Sequence, residues 1–155
     1  MRLTLGMCLC ALLCGSWQVA ALPTNLVRNS SFEQRFAASG PADFWRARTG
    51  VGALNDRVEG TALGGRDCHT IQVPPEAEAT WYIASQVLEG LVPGRTYTLS
   101  GSIRTDDVRD GHGAYIAVNY LDASGQRLAF TDSEQHLTGT NDWARTTQTF
   151  SPVPG

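Results

Sequence analysis

The chain has 155 residues, enough for one domain of ordinary size, and 42 % of them are hydrophobic, enough to build a core. Its formal net charge is −3, and its 12 basic residues, all arginine, form no basic run. This charge pattern argues against nucleic acid and against an anionic membrane surface as partners.

The first 21 residues have the features of a signal peptide. Arg2 supplies the positive start, residues 3–13 form an apolar run too short to span a bilayer, and small residues stand at 19–21. Cleavage is expected before Leu22, which predicts a secreted or periplasmic protein. Lipid attachment at Cys14 is the alternative, although Leu13 stands where lipoproteins have a small residue.

Beyond residue 22, short segments rich in β-branched and aromatic residues alternate with Gly-rich or Pro-rich turns. The predicted strands cover residues 25–28, 53–58, 68–73, 80–88, 96–104, 114–121, 127–131 and 143–150. Residues 105–113 are predicted to form a polar loop, and residues 121–128 a tight hairpin around the turn at 122–125. Many short strands with regular turns predict an all-β fold, an antiparallel β-sandwich of the jelly-roll type, over residues 22–155.

Alternation along two of these strands predicts which side chains face the core. The apolar face of the segment 96–104 carries Tyr97, Leu99, Gly101 and Ile103. In the segment 114–121, Ile116, Val118 and Tyr120 share one face, and Tyr115, Ala117 and Asn119 share the other. If the two strands are neighbours in one sheet, Arg104, Tyr115 and Asn119 project from one polar outer surface.

Residues 150–155, with two prolines and a glycine, have the pattern of a strand that ends in a turn. A closed sandwich would need another strand to pair with the first one. We therefore expect a sandwich that lacks its final strand, as in a truncated chain or a module separated from a partner domain. An unpaired edge strand also predicts poor solubility.

The sequence has none of the motifs of metalloproteases, serine hydrolases or phosphate-binding loops. His69, His112 and His136 lie far apart without the spacing of metal ligands, so each is interpreted as a loop or surface residue. Carboxylates are frequent in the loops, but a glycosidase needs two of them facing each other across a cleft. The chain is therefore not expected to be an enzyme.

Aromatic residues are the candidate binding groups. Pyranose rings present C–H faces that stack on aromatic rings, while their hydroxyl groups need polar partners. Trp81 and Tyr82 are adjacent and must face opposite sides of a strand, which exposes one of them. Tyr115 shares its face with Asn119 and is the best candidate for an exposed aromatic residue.

Four stretches, in order, resemble the carbohydrate-binding modules of families 4, 9 and 22. They are NLVRNSSFE followed by Trp45, QVLEGLVPGRTYTLSGSIR, the strand and hairpin over residues 115–128, and TNDWARTTQTFSPVP. The resemblance covers nearly all of residues 22–155. It implies a jelly roll related to galactose-binding domains that binds β-glucan or xylan in a cleft.

The resemblance also implies site residues. By strand position, the carbohydrate-binding residues are Trp81, Arg104, Tyr115, Asn119 and Glu134. Many members hold one structural calcium near the N-terminal segment, where the backbone carbonyl of Ser31 and the carboxylate of Glu33 match. An acidic residue of the last strand usually completes that calcium site, and that strand is missing here.

Three hypotheses about function follow. The leading one is an exported, non-catalytic module that binds polysaccharide, for example as an accessory module of a glycoside hydrolase. The second is the N-terminal part of a secreted glycoside hydrolase whose catalytic domain lies beyond Gly155. The third is a structural or adhesion sandwich without a sugar site, which would lack an exposed aromatic residue on its outer face.

Overall fold

A computed structural model describes residues 24–35, 42–48, 52–60 and 62–152. Every regular element within these ranges is a β-strand, and every strand pair is antiparallel. The strands are β1 (Arg46–Arg48), β2 (Leu54–Glu59), β3 (Asp67–Gln72), β4 (Ile83–Ser85), β5 (Tyr97–Val108), β6 (Ala117–Leu121), β7 (Arg127–Asp132) and β8 (Gly139–Phe150). The predicted all-β, antiparallel class is confirmed.

Some predictions lie outside the described ranges, namely the signal peptide over residues 1–21 and the alternative lipid attachment at Cys14. The described part of the chain has no helix of the length and apolar character that a membrane span requires. The strand order of a jelly roll stays a prediction.

The strands form four two-stranded sheets with the orders β1-β4, β2-β3, β5-β8 and β6-β7. Strands β2 and β3 are consecutive in the chain, as are β6 and β7, whereas β1-β4 and β5-β8 each enclose one of these consecutive pairs. The topology therefore consists of two nested units, one from β1 to β4 and one from β5 to β8.

The β5-β8 sheet has one half-buried face and one polar, exposed face, as the alternation in residues 97–103 predicts. Its inner face carries the cross-strand pairs Tyr97–Phe150, Leu99–Gln148, Gly101–Thr146 and Ile103–Ala144. The rings of Tyr97 and Phe150 stack with centroids 5.7 Å apart, and Phe150 is buried. On the outer face, Arg145 donates to the Ser100 hydroxyl at 3.1 Å.

The β6-β7 hairpin packs against this inner face. Gln148 of β8 donates from Nε2 to Thr131 Oγ1 of β7 at 2.8 Å. The hairpin turn at residues 122–125, predicted from its sequence, is confirmed, since Gly125 N–H donates to the Asp122 carbonyl at 3.0 Å. These contacts leave the opposite face of the hairpin toward solvent, where Asn119 and Phe130 are exposed.

Strands β5 and β6 are not neighbours in one sheet, so the condition for a shared outer surface of Arg104, Tyr115 and Asn119 is not met. Strand β5 pairs with β8, and β6 pairs with β7. The segment predicted as a loop from Thr105 onward instead extends β5 to Val108 through two register shifts. The chain then continues into the β6-β7 hairpin. Because the connection between β6 and β7 is short, their pairing has a small loop-closure entropy cost. Trp143, expected to open a strand, lies inside β8.

Residues 25–28 do not form the predicted strand. The Asn25 side chain accepts a hydrogen bond from Val27 N–H at 3.0 Å, which bends the chain into a turn. The main chain of Arg28 is instead bound by the Gln86 side chain, which accepts from its N–H at 2.8 Å and donates to its carbonyl at 2.9 Å. The predicted strand over residues 80–88 shortens to β4, whose partner β1 was not predicted.

Polar side chains join the sheets of the first unit. The buried Asn55 donates to the carbonyls of Arg48 and Ile83 at 2.7 and 3.2 Å, linking β2 to β1 and β4. Arg57 and Asp67, whose side chains are 3 % and 0 % exposed, form an ion pair between β2 and β3. Each of these two buried charges needs the other as its partner, because an unpaired buried charge is strongly destabilising.

Candidate functional site

Trp81 lies in the irregular segment before β4, with 52 % of its surface exposed. Its neighbour Tyr82 is half-buried and donates from its hydroxyl to the Glu78 carbonyl at 2.6 Å. The alternation argument required one of these two aromatic residues to be exposed, and the structure shows that it is Trp81.

Four ring-bearing side chains meet around this tryptophan, and we call them the aromatic cluster: Trp81, His112, Tyr115 and His136. Trp81 stacks on His112 with ring centroids 5.5 Å apart and an interplanar angle of 21°. Tyr115 meets Trp81 edge-on at 6.3 Å and stacks on His136 at 4.2 Å. The cluster therefore combines three separate parts of the chain into one surface.

The backbone before β6 explains how Tyr115 reaches His136. Ala114 and Leu137 form an isolated antiparallel bridge with two hydrogen bonds of 2.9 Å. Gly113 has a φ of +81°, and a Cβ there would lie 2.8 Å from the Leu137 carbonyl oxygen. Only glycine combines this left-handed conformation with such a close backbone approach. Gly113 thus allows the bridge that sets Tyr115 beside His136.

Asp132 supplies the charge next to the cluster. Its Oδ2 lies 3.1 Å from His136 Nε2. Burial raises the pKa of Tyr115 above its usual range, and the negative charge of Asp132 raises it further. The Tyr115 hydroxyl therefore stays protonated at neutral pH and can both donate and accept hydrogen bonds. This combination of rings, a carboxylate and a hydroxyl matches the mixed apolar and polar surface of a sugar.

Asn119 lies on β6, directly opposite Phe130 on β7, and both are exposed. Asp132 follows Phe130 by two positions, so its side chain projects from the same face of the hairpin. The structure therefore places three of the predicted site residues, Trp81, Tyr115 and Asn119, on one side of the molecule.

Arg104 and Glu134 lie elsewhere. The Arg104 guanidinium lies over the ring of Trp143, 5.7 Å from its centroid, on the face of the β5-β8 sheet that points away from the hairpin. Glu134 lines a polar cleft of about 450 Å³ together with Gln135 and β8. The β8 residues that line this cleft are Arg145, Thr146, Thr147, Gln148 and Thr149. The structure brings neither Arg104 nor Glu134 into the aromatic cluster.

Glu33 fastens the N-terminal segment to β3. Its Oε1 accepts hydrogen bonds from the N–H groups of Arg66 and Asp67 at 2.6 and 2.8 Å. These backbone donors, Asp67 first, lower the pKa of Glu33. Ser31 is exposed nearby in the chain. The described residues contain no group of three or more His, Cys, Asp or Glu arranged around a metal position. Calcium binding by Ser31 and Glu33 stays a prediction.

Several residues of this surface were not predicted from the sequence. His69, His112 and His136 were interpreted as loop or surface residues, which is correct for His112 and His136 but wrong for His69, since His69 lies in β3. The stacking of His112 on Trp81 and of His136 on Tyr115 was not foreseen. Phe130 was also missed. No local signal marked Phe130. Counting outward from the Leu121–Arg127 pair would place Ala129 opposite Asn119, and only the register shift between Tyr120 and Leu121 places Phe130 there.

Comparison of the chain with protein-family models, curated proteins and solved structures gave no match. The likeness to carbohydrate-binding modules therefore rests on the four stretches of sequence named above.

Proposed function

We propose that this chain binds polysaccharide of the β-glucan or xylan class through the aromatic cluster, without cleaving it. The observation that supports the proposal is that the Trp81 side chain is exposed and also held in place by its neighbours. Its indole is 52 % exposed, yet His112 and Tyr115 contact it on two sides. A large apolar ring held in place at the surface can bind a ligand face with little loss of side-chain entropy.

The chemistry around the ring fits a sugar better than a purely apolar ligand. Stacking on Trp81 would remove apolar C–H surface of a pyranose from water. The Tyr115 hydroxyl, the Asp132 carboxylate and the Asn119 amide stand on the same side of the molecule to meet hydroxyl groups. An open surface of this kind leaves part of the ligand solvated, so we expect modest affinity per site.

The proposal assigns the carboxylates near the cluster to binding and not to hydrolysis. Glycoside hydrolysis uses two carboxyl groups that flank the scissile bond. Asp132 lies against His136 beside the aromatic cluster, whereas Glu134 lines the polar cleft along β8. In this proposal both carboxylates contact hydroxyl groups of the ligand, and neither acts as a catalytic acid or base. The expected export of the chain would put this binding at a polysaccharide outside the cytoplasm.

Affinity electrophoresis of the purified protein in gels containing xylan, barley β-glucan or laminarin tests the proposal. We expect at least one polysaccharide to retard the protein. A Trp81→Ala variant should bind that polysaccharide at least about tenfold more weakly, because the apolar area that the indole and the sugar bury against each other is lost. The stability of this variant should be nearly unchanged, since half of the Trp81 surface is already in water.

Phe44→Ala is the matched control. Phe44 is also an exposed aromatic residue, at 39 %, but it packs under the Arg28 guanidinium in the segment that precedes β1. This variant should be retarded like the unmodified protein. Equal mobility of the unmodified protein in all gels would overturn the proposal and favour the structural or adhesion alternative.

A further inference from the structure

The outer face of the β6-β7 hairpin continues from the aromatic cluster. Asp132, which contacts His136 of the cluster, begins this face, and Phe130 lies two positions along the same strand. Two residues of an extended strand cover about 7 Å, so Phe130 projects beside Asp132 at that spacing. Aromatic and polar side chains thus follow one another along a single line of the surface.

Phe130 itself has the surroundings of a binding group. It is 44 % exposed, and Asn119 lies directly opposite it on β6. The Arg127 guanidinium carbon is 5.8 Å from the centre of the Phe130 ring. An exposed apolar ring next to an amide and a guanidinium offers a stacking surface together with hydrogen-bond donors.

The inner face of the same hairpin makes the exposure of Phe130 informative. Val118, Tyr120 and Thr131 point toward the β5-β8 sheet and are half-buried, and Thr131 accepts the hydrogen bond from Gln148. The hairpin therefore has a packing face, and Phe130 is not on it. Its ring adds little to the stability of the fold, so a binding role accounts better for an aromatic residue at this position.

We infer that Phe130 is a second stacking position of the same binding surface, and that the ligand is an extended glycan chain running along the hairpin from Trp81 to Phe130. This inference rests on the proposed function. Phe130 and Asp132 are about 7 Å apart along the strand, and Trp81 lies beyond Asp132, connected to it through Tyr115 and His136. We therefore expect that a single sugar ring does not contact both Trp81 and Phe130. Asp132 lies between the two stacking positions, and Asn119 lies beside Phe130. Both could contact successive hydroxyl groups of a bound glycan chain.

The test compares oligosaccharides of increasing length by calorimetry, using the whole protein and the xylo-, cello- and laminari-oligosaccharide series. For the unmodified protein, affinity should rise with length until the chain reaches Phe130. Phe130→Ala should remove that rise, weakening binding of the longest oligosaccharide by about tenfold while leaving the shortest one unchanged. Trp81→Ala should weaken binding at every length.

Phe130→Tyr keeps the aromatic ring and should keep the gain in affinity with oligosaccharide length. Phe130→Leu keeps only an apolar side chain and should lose most of that gain. Equal binding by Phe130→Ala and the unmodified protein at every length would overturn this inference and leave the proposed function intact. Absence of binding by the unmodified protein would overturn both. A dimer that dissociates in Phe130→Ala, seen by size-exclusion chromatography, would instead identify the face as a contact between copies and also overturn the inference.

Discussion

At the scale of single residues, Glu33 shows how one carboxylate holds a loop segment in place. Its Oε1 receives two backbone N–H groups at the start of β3, from Arg66 and Asp67. The preceding residue, Gly65, has a φ of +82°, and a Cβ there would lie 2.5 Å from Glu33 Oε1. Glycine is therefore required at position 65 for two reasons. The backbone is left-handed there, and the Glu33 carboxylate occupies the space that a side chain would need.

Gly65→Ala should destabilise the protein by about 1–2 kcal/mol, because alanine is strained in the left-handed conformation and its methyl group displaces Glu33. Urea denaturation followed by tryptophan fluorescence measures the change. Gly64→Ala is the matched control, since Gly64 has an ordinary φ and open space around its Cβ position. That variant should be neutral or slightly stabilising; an equal loss in both variants would contradict the role assigned to Glu33.

At the scale of the elements, Asn55 connects three strands. Its amide nitrogen donates to the carbonyls of Arg48 on β1 and Ile83 on β4, which fixes the orientation of the amide. Its Oδ1 must then accept from His69 Nε2, 2.5 Å away on β3, so the imidazole carries its proton on Nε2. Burial lowers the pKa of His69, while the nearby Asp56 carboxylate acts in the opposite direction. A neutral His69 fits this arrangement.

Asn55→Ala should lower the free energy of unfolding by about 1–3 kcal/mol, because two partly buried carbonyls and an imidazole N–H lose their partner. Chemical denaturation of this variant beside Asn119→Ala provides the comparison. Asn119 is exposed on the outer face of β6, so its replacement should leave stability almost unchanged. The linking role of Asn55 would be refuted by two variants of the same stability.

At the scale of the whole molecule, the described residues contain only a small apolar core. The buried apolar side chains among them are Ala42, Leu137 and Phe150, while several buried side chains are polar, including Asn55 and Thr146. Domains of this size are stable by only about 5–15 kcal/mol in total. Each large buried side chain should therefore carry an unusually large part of the stability.

Phe150→Ala should cost about 3–5 kcal/mol, because it removes the ring that stacks on Tyr97 inside the β5-β8 sheet. Phe130→Ala removes the same atoms from an exposed site on the hairpin and should cost far less. The two variants thus separate folding from binding: the first should melt at a clearly lower temperature, and the second should keep its melting temperature but lose affinity for long oligosaccharides. Similar melting temperatures would show that Phe150 is not a core residue.

Local patterns in the sequence were sufficient for the strand and turn character of most of the chain. The turn at residues 122–125 and the buried face from Tyr97 to Ile103 depend on neighbours a few positions away, and both were predicted. The segment 25–28 was misjudged because its apolar residues suit a strand, whereas the side chains of Asn25 and Gln86 bind its backbone in a different conformation.

By itself, the sequence determined that this protein is antiparallel and all-β, and it singled out Trp81, Tyr115 and Asn119 as candidate binding residues. Only the tertiary structure decided that β5 pairs with β8 and not β6, that Arg104 and Glu134 lie on other surfaces, and that His112 and His136 join the aromatic cluster. The physical reason is distance along the chain. Turns and alternation follow from adjacent residues, whereas these contacts join residues that come together only when separate sheets pack.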